Sequence, residues 1–65
     1  MKILVNGDAR EIRAQDLSGA LEELGYGEAV IATAVNGEFV PAPARRAARL
    51  ADGDRLEVLA PMQGG

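Results

Sequence analysis

The fold is decided by the first 25 residues, which read MKILVNGDAREIRAQDLSGALEELG (residues 1–25). A short apolar run, Lys2 to Val5, stops at the pair Asn6-Gly7. This pair is typical of two-residue hairpin turns, because both of its residues tolerate the positive φ that such a turn requires. The return strand is predicted over residues 9–13, with Ile12 as its main apolar residue.

A helix follows this hairpin. Asp16 is a suitable N-cap because its carboxylate can accept hydrogen bonds from free amides of the first turn. Gly25 is suited to the left-handed position that ends a helix. The apolar positions between them recur at i, i+3, i+4 and i+7, which predicts one inward-facing stripe; it consists of Leu17, Ala20, Leu21 and Leu24. Glu22 and Glu23 fall on the solvent side.

Three further strands are predicted in the second half of the chain. Residues 30–35 alternate, with Ile31, Thr33 and Val35 on one face and Ala32 and Ala34 on the other. A second Asn-Gly pair, residues 36–37, turns the chain into strand 38–40. Pro41 and Pro43 stop that strand, since proline cannot donate to a ladder.

The chain then reaches its last strand through two short features. A helical turn is predicted within residues 44–51, with Leu50 pointing inward. Asp52-Gly53-Asp54 is predicted to be a turn, and residues 55–59 form the last strand, with Leu56 and Val58 towards the core.

The order strand, strand, helix, strand, short strand, strand predicts an α+β fold of the β-grasp type. In it, a mixed sheet of four to five strands is covered on one face by a single helix. We expect residues 1–65 to form one domain, with 60–65 as a flexible C-terminal tail. The sheet face away from the helix is called the open face below.

Composition narrows the classes of function. The 65 residues include no cysteine and no histidine, which excludes thiolate nucleophiles, disulfides and imidazole acid-base chemistry. The net charge of −3 and the aromatic content of 3% argue against nucleic acid as a partner. No signal peptide or membrane-spanning run is recognisable, so we expect a cytoplasmic protein.

The last two residues, Gly64-Gly65, are the strongest candidate for chemistry. Lacking a Cβ, they can lie extended in a channel too narrow for other residues. Attack of the terminal carboxylate on the α-phosphate of ATP would give an acyl adenylate, from which a sulfur nucleophile could displace AMP. The alternative is a frayed end without function. Gly65 is therefore the candidate for covalent modification, and access to it would involve Gly64, Gln63 and Met62.

The open face is the second candidate. The alternation places Leu4, Ala32, Ala34 and Leu59 there, and Met62 could extend the patch. Exposed apolar patches often mark partner sites, although single exposed apolar residues are ordinary on any surface.

The charged clusters are better explained as surface. Arg45, Arg46 and Arg49 could bind an acidic partner or a phosphate, but a solvated surface balanced by Asp52 and Asp54 is favoured. No acid-base pair, nucleophile-base pair or metal-ligand spacing emerges, so neither a catalytic site nor a metal site is predicted.

One combination of segments is specific, and it consists of residues 35–41 (VNGEFVP), Leu50, residues 52–57 (DGDRLE) and Gly64-Gly65. In this combination the chain resembles the ThiS family, the sulfur carrier proteins of thiamine thiazole biosynthesis, and residues 1–7 are similar to the family's first strand and turn. The resemblance covers essentially the whole chain and implies a ubiquitin-like fold.

The resemblance also implies a cycle of partners. A ThiF-type adenylyltransferase would use ATP and magnesium to adenylate the carboxylate of Gly65. Sulfur from cysteine, through a cysteine desulfurase, would give the thiocarboxylate, and a ThiG-type thiazole synthase would take the sulfur. The carrier itself would be non-catalytic and bind no cofactor.

The sequence is also compatible with other functions. The small subunit of molybdopterin synthase shares the fold and the Gly-Gly end, but those chains are usually longer between the helix and the third strand. Other sulfur carriers and ubiquitin-like modifiers are also possible. A different class is a β-grasp interaction module without carboxylate chemistry.

Overall fold

The computed structural model describes residues 1–27 and 29–60. Five strands and one α-helix occur in this part of the chain, joined by short turns. Their bounds are β1 Lys2–Val5, β2 Asp8–Glu11, α1 Leu17–Glu23, β3 Ala32–Val35, β4 Glu38–Val40 and β5 Arg55–Leu59, with a 3-10 turn at Ala42–Ala44 between β4 and β5.

The five strands form one mixed sheet in the order β2-β1-β5-β3-β4. Each edge is an antiparallel hairpin, β1 with β2 and β3 with β4. The last strand, β5, lies between them, parallel to β1 and antiparallel to β3. With α1 on one face, this is the predicted β-grasp arrangement, and the predicted α+β fold is confirmed.

Both hairpins turn on an Asn-Gly pair, as predicted. Asn6 and Gly7 have φ values of 50° and 88°, and Asn36 and Gly37 have 51° and 86°. Positive φ at both central residues matches the right-handed twist of the flanking strands. The two turns therefore fix the registers Val5↔Asp8 and Val35↔Glu38.

Helix α1 begins and ends where the sequence predicted. The N–H of Gly19 donates to Asp16 Oδ1 at 2.7 Å, and Gly25 follows the helix with φ 94°. A Cβ on Gly19 would lie 3.0 Å from the Ala14 Cβ, which explains the absence of a side chain there. The helix packs on a core that contains most of the residues predicted to face inward, whereas Leu24, Ile31 and Val35 are only partly buried against it. The buried apolar residues are Ile3, Val5, Ile12, Leu17, Ala20, Leu21, Leu50, Leu56 and Val58.

Three predicted boundaries shift. Strand β2 starts at Asp8 and ends at Glu11, because the two-residue turn returns the chain at once. Strand β3 starts at Ala32 rather than at residue 30. The helical turn lies at Ala42–Ala44 instead of within 44–51, since proline fits the first turn of a helix, where no N–H is needed.

The prediction that all three arginines belong to a solvated surface is wrong for Arg45. Its Nε donates to Thr33 Oγ1 at 3.1 Å and its Nη2 to the Ile31 carbonyl at 2.6 Å. The Thr33 hydroxyl in turn donates to the Val40 carbonyl at 2.8 Å. Arg45 therefore satisfies a carbonyl just before β3 and one of the few buried polar side chains of the domain. Arg49 bonds Gln15, and Arg46 is exposed.

Candidate functional site

The open face carries the four residues that the alternation assigned to it. On β1, Leu4 is exposed between buried Ile3 and Val5. On the other side of β5, Ala32 pairs with Leu59, so these two residues share a face. Ala34 pairs with Glu57 and lies on that face as well. The faces of these residues are thus as predicted, whereas their role as a partner interface stays a prediction.

The four residues do not form one continuous patch. Ala32, Ala34 and Leu59 line a shallow concavity of about 230 Å³ between β3 and β5. Leu4 lies across β5, in a second concavity of about 350 Å³. Glu57 lines both concavities and lies between the two apolar areas.

Phe39 is a functional candidate that the sequence reasoning missed. It pairs with Ala34 across the β3–β4 hairpin, lines the first concavity and is 68% exposed. Phe39 and Leu59 are both far more exposed than Leu4, the third large apolar residue of the open face, which is 37% exposed. The signal was available, because a two-residue turn at 36–37 places residues 34 and 39 opposite each other.

The open face also carries charge. Arg55 and Glu57 occupy exposed positions of β5, two residues apart and therefore on the same face. Within residues 1–27 and 29–60, the salt bridge found joins the N-terminus to Glu11 at 3.7 Å, so neither residue has an ionic partner there. Charged side chains therefore lie between the two apolar areas of the open face, at Arg55 and Glu57, and also at its β1–β2 margin, where Lys2 pairs with Glu11.

The last strand of the sheet ends beside this surface. Strand β5 ends at Leu59, and Ala60 is the last described residue. The predicted modification residue Gly65 and the predicted tail residues Gly64, Gln63 and Met62 lie outside the described residues. What the structure adds is the position of the strand end from which they continue.

The described residues bring no metal-binding group together. In residues 1–27 and 29–60, no three acidic side chains lie close enough to hold a metal ion. Asp52, Gly53 and Asp54 form the predicted turn, in which Asp52 Oδ1 accepts from Lys2 N at 2.7 Å and Asp54 Oδ2 from Ala51 N at 2.8 Å. Both carboxylates thus accept hydrogen bonds from backbone N–H groups.

The surroundings of Glu23 shift the pKa of its carboxyl group. This residue lies on α1, away from the open face. Its carboxylate accepts from the backbone N–H groups of Arg13 and Ala14 at 2.9 to 3.0 Å. These hydrogen bonds, that from Arg13 first, lower the pKa of Glu23 because they stabilise the ionised form. Glu23 therefore fastens the segment before α1, rather than being only a solvated side chain.

No helix in the described part of the chain has the length and apolar character needed to span a bilayer.

Comparisons with known proteins agree with this geometry. The model of the ThiS family matches residues 3–65. The chain is similar to the crystal structure of a thiamine biosynthesis protein (ThiS) from Geobacter metallireducens, with a TM-score of 0.83, 29% identity and 100% of each chain covered. It is also similar to a solution structure of a thiamine biosynthesis protein from that organism, with a TM-score of 0.80, 28% identity, and 100% of this chain and 88% of that chain covered. No curated protein sequence matches at a significant level. Because the family model spans nearly the whole sequence, the chain belongs to the ThiS family.

Proposed function

We propose that this chain is a sulfur carrier of thiamine biosynthesis, which bears the sulfur on the carboxylate of Gly65. The observation that carries the proposal is the family match over residues 3–65, which runs from the first strand through Gly64-Gly65. The relatives from Geobacter metallireducens, described as thiamine biosynthesis proteins, support the same pathway.

The proposed cycle starts with activation of the carboxylate. An oxygen of the Gly65 carboxylate attacks the α-phosphate of ATP, and pyrophosphate leaves. The product is an acyl adenylate, in which AMP is a good leaving group. A sulfur nucleophile at the oxidation level of sulfide then attacks the acyl carbon. The C–S bond forms, the C–O bond to AMP breaks, and a thiocarboxylate remains for transfer to the thiazole precursor.

In this proposal the chain is a substrate, and its partners are the catalysts. Phosphoryl chemistry needs cationic groups and a metal ion around the phosphates. A ThiF-type adenylyltransferase would supply these together with ATP and magnesium. A cysteine desulfurase would take the sulfur from cysteine as a persulfide, a thiol would reduce this to the level of sulfide while being oxidised to a disulfide, and a ThiG-type thiazole synthase would be the acceptor. The carrier contributes a terminal carboxylate and two residues without a Cβ, which suit a narrow channel.

The open face is the proposed docking surface for these partners. Leu59 is 69% exposed at the end of β5, next to the point where the C-terminal segment leaves the sheet. Phe39 and Ala32 border the same concavity. A partner that covers this surface would be positioned to receive the chain end as well. It would also have to offer hydrogen-bond donors to Glu57, because burying an unpaired carboxylate costs several kcal/mol.

Intact-protein mass spectrometry tests the proposal. The chain is incubated with a ThiF-type adenylyltransferase, ATP, magnesium, cysteine and a desulfurase. We expect a product in which one oxygen is replaced by sulfur, and fragmentation should locate the change at Gly65. A reaction without ATP is the control. An unmodified carboxylate, under conditions in which an established ThiS protein is converted, would refute the proposal.

A further inference from the structure

The two turn asparagines make the same kind of contact at opposite ends of β5. Asn36 lies at the start of that strand, where its Oδ1 accepts from Arg55 N at 3.0 Å. Asn6 lies towards the other end, where its side chain bonds Val58. Both are in Asn-Gly turns with nearly equal φ, 50° for Asn6 and 51° for Asn36.

The side chain of Asn6 continues the hydrogen bonding of β5 beyond the point where β1 ends. The ladder between β1 and β5 has its last residue pair at Val5↔Leu56, and the Asn6 backbone N–H adds a bond to the Leu56 carbonyl at 2.9 Å. The chain then turns away into β2. Beyond that point, Asn6 Nδ2 donates to the Val58 carbonyl at 3.1 Å and Asn6 Oδ1 accepts from Val58 N at 2.8 Å. The amide thus pairs with both polar groups of Val58, as a backbone neighbour would.

This pairing lies close to the root of the C-terminal segment. Val58 is followed by Leu59, the last residue of β5, and by Ala60. Gly65 is six positions beyond Leu59. A fully extended chain of that length reaches about 20 Å, so the position of the strand end limits where the carboxylate can go.

We propose that Asn6 is a positioning residue, which holds the end of β5 so that the chain end leaves the sheet from a fixed point. This inference rests on the proposed function. Without the Asn6 amide, the β1 side of Val58 loses its partner and only the β3 side remains paired, through Thr33↔Val58 and Ala32↔Leu59. A less constrained strand end would enlarge the volume open to the carboxylate and lower its local concentration at a docked enzyme.

Asn6→Gly tests this role, and Asn36→Gly is its matched control. Glycine accepts the positive φ of both turns, so each variant keeps its hairpin and loses one side-chain amide. Both variants also add the same freedom to the unfolded chain. They differ in which end of β5 is released, the end beside the C-terminal segment in Asn6→Gly and the far end in Asn36→Gly.

Three measurements are made on the two variants and the wild type. The first is ATP–pyrophosphate exchange by a ThiF-type adenylyltransferase at saturating carrier. The second is the affinity of that enzyme for the carrier without ATP, because Asn6 also borders the open face. The third is hydrogen exchange at the Val58 amide, which does not depend on the reaction.

We expect the Val58 amide of Asn6→Gly to lose its protection against hydrogen exchange. We also expect the rate of ATP–pyrophosphate exchange at saturating carrier to fall about fivefold or more. Freeing one residue from a single backbone conformation increases the number of accessible conformations by a factor of about 5 to 30. The affinity of Asn6→Gly for the enzyme should change less than its rate. Asn36→Gly should keep Val58 protected and the rate near that of the wild type.

Two results would overturn the inference while leaving the proposed function intact. One is a wild-type rate in Asn6→Gly despite an exposed Val58 amide. The other is an equal loss of rate in both variants, which would indicate a general loss of stability. Weaker docking with an unchanged saturating rate would make Asn6 a contact residue instead, and would also reject a positioning role. A wild-type chain that supports no exchange refutes the proposed function itself, and the role of Asn6 with it.

Discussion

Truncation of Leu59 to alanine should weaken docking to the activating enzyme without unfolding the domain. Burying a whole leucine side chain contributes about 1.5 to 3 kcal/mol. Since 69% of Leu59 is exposed in the free chain, complete coverage by a partner would contribute roughly 1 to 2 kcal/mol. Removing it should therefore raise Kd by a factor of about 5 to 30.

The exposed fractions also predict an order among variants of the open face. Phe39→Ala should cost at least as much as Leu59→Ala, because Phe39 is a larger side chain with 68% exposed. Leu4→Ala should cost less, since Leu4 is only 37% exposed and lies in the other concavity. Glu22→Ala, on the solvent side of α1, serves as the control outside the open face.

Isothermal titration calorimetry with a ThiF-type adenylyltransferase, in the absence of ATP, measures these affinities. Thermal unfolding of each variant verifies that the fold is unchanged. If Phe39→Ala and Leu59→Ala both bind as tightly as Glu22→Ala, the enzyme does not dock on the open face, and the reasoning from exposed area fails.

Three further predictions concern the open face, the chain end and α1. Ala34→Arg should weaken the same docking about tenfold or more, because the long side chain would occupy the concavity that the partner is proposed to cover; unchanged affinity would remove Ala34 from the interface. Deletion of Gly65, or Gly64→Ala, should leave the unfolding temperature unchanged and abolish ATP–pyrophosphate exchange; normal exchange in the truncated chain would show that another group reacts. Glu23→Gln should lower the unfolding temperature at pH 7, because the ionised carboxylate accepts two backbone N–H groups. The pKa of Glu23 is lowered in the folded state, so its contribution is complete above the ordinary value of 4.5 and is lost as the pH falls through the lower folded-state pKa. The difference between Glu23→Gln and wild type should accordingly shrink as the pH falls below 4.5, and a pH-independent difference would contradict this account.

The features that sequence reasoning predicted well are determined locally. Positive φ at an Asn-Gly pair fixes a two-residue turn, and the turn fixes the register of its hairpin. Asp16 and Gly25 fixed the ends of α1 in the same way, through hydrogen bonding and backbone conformation near the residue itself. From these, the alternation of each strand assigned Leu4 and Leu59 to the open face correctly.

The features that it missed depend on contacts distant in sequence. The bonds of Arg45 to Thr33 and Ile31 span 12 and 14 residues. The arginines that follow Pro43 show no periodicity that would reveal such a role. The bond of Glu23 to the segment before its own helix is of the same kind, because it depends on how that segment folds back over α1. Phe39 is different, because the two-residue turn at residues 36–37 sets the hairpin register and so places Phe39 opposite Ala34 on the open face.

The division of the open face follows from a single strand. Because β5 lies between β1 and β3, its outward-facing residues separate Leu4 from Ala34, and one of those residues is Glu57. The same strand carries Leu56 and Val58 into the core on its other face.

Strand β5 therefore contributes to the core and to the proposed docking surface, and the C-terminal residues continue from its end. A partner that contacts Leu59 contacts the residue directly after Val58, which Asn6 holds from the neighbouring turn. In the proposed cycle, docking and delivery of the carboxylate would thus be coupled through two adjacent residues of the central strand. In a domain this small, which has little room for separate binding and delivery elements, such a coupling would let the proposed partners bind the same surface in turn and receive the same carboxylate.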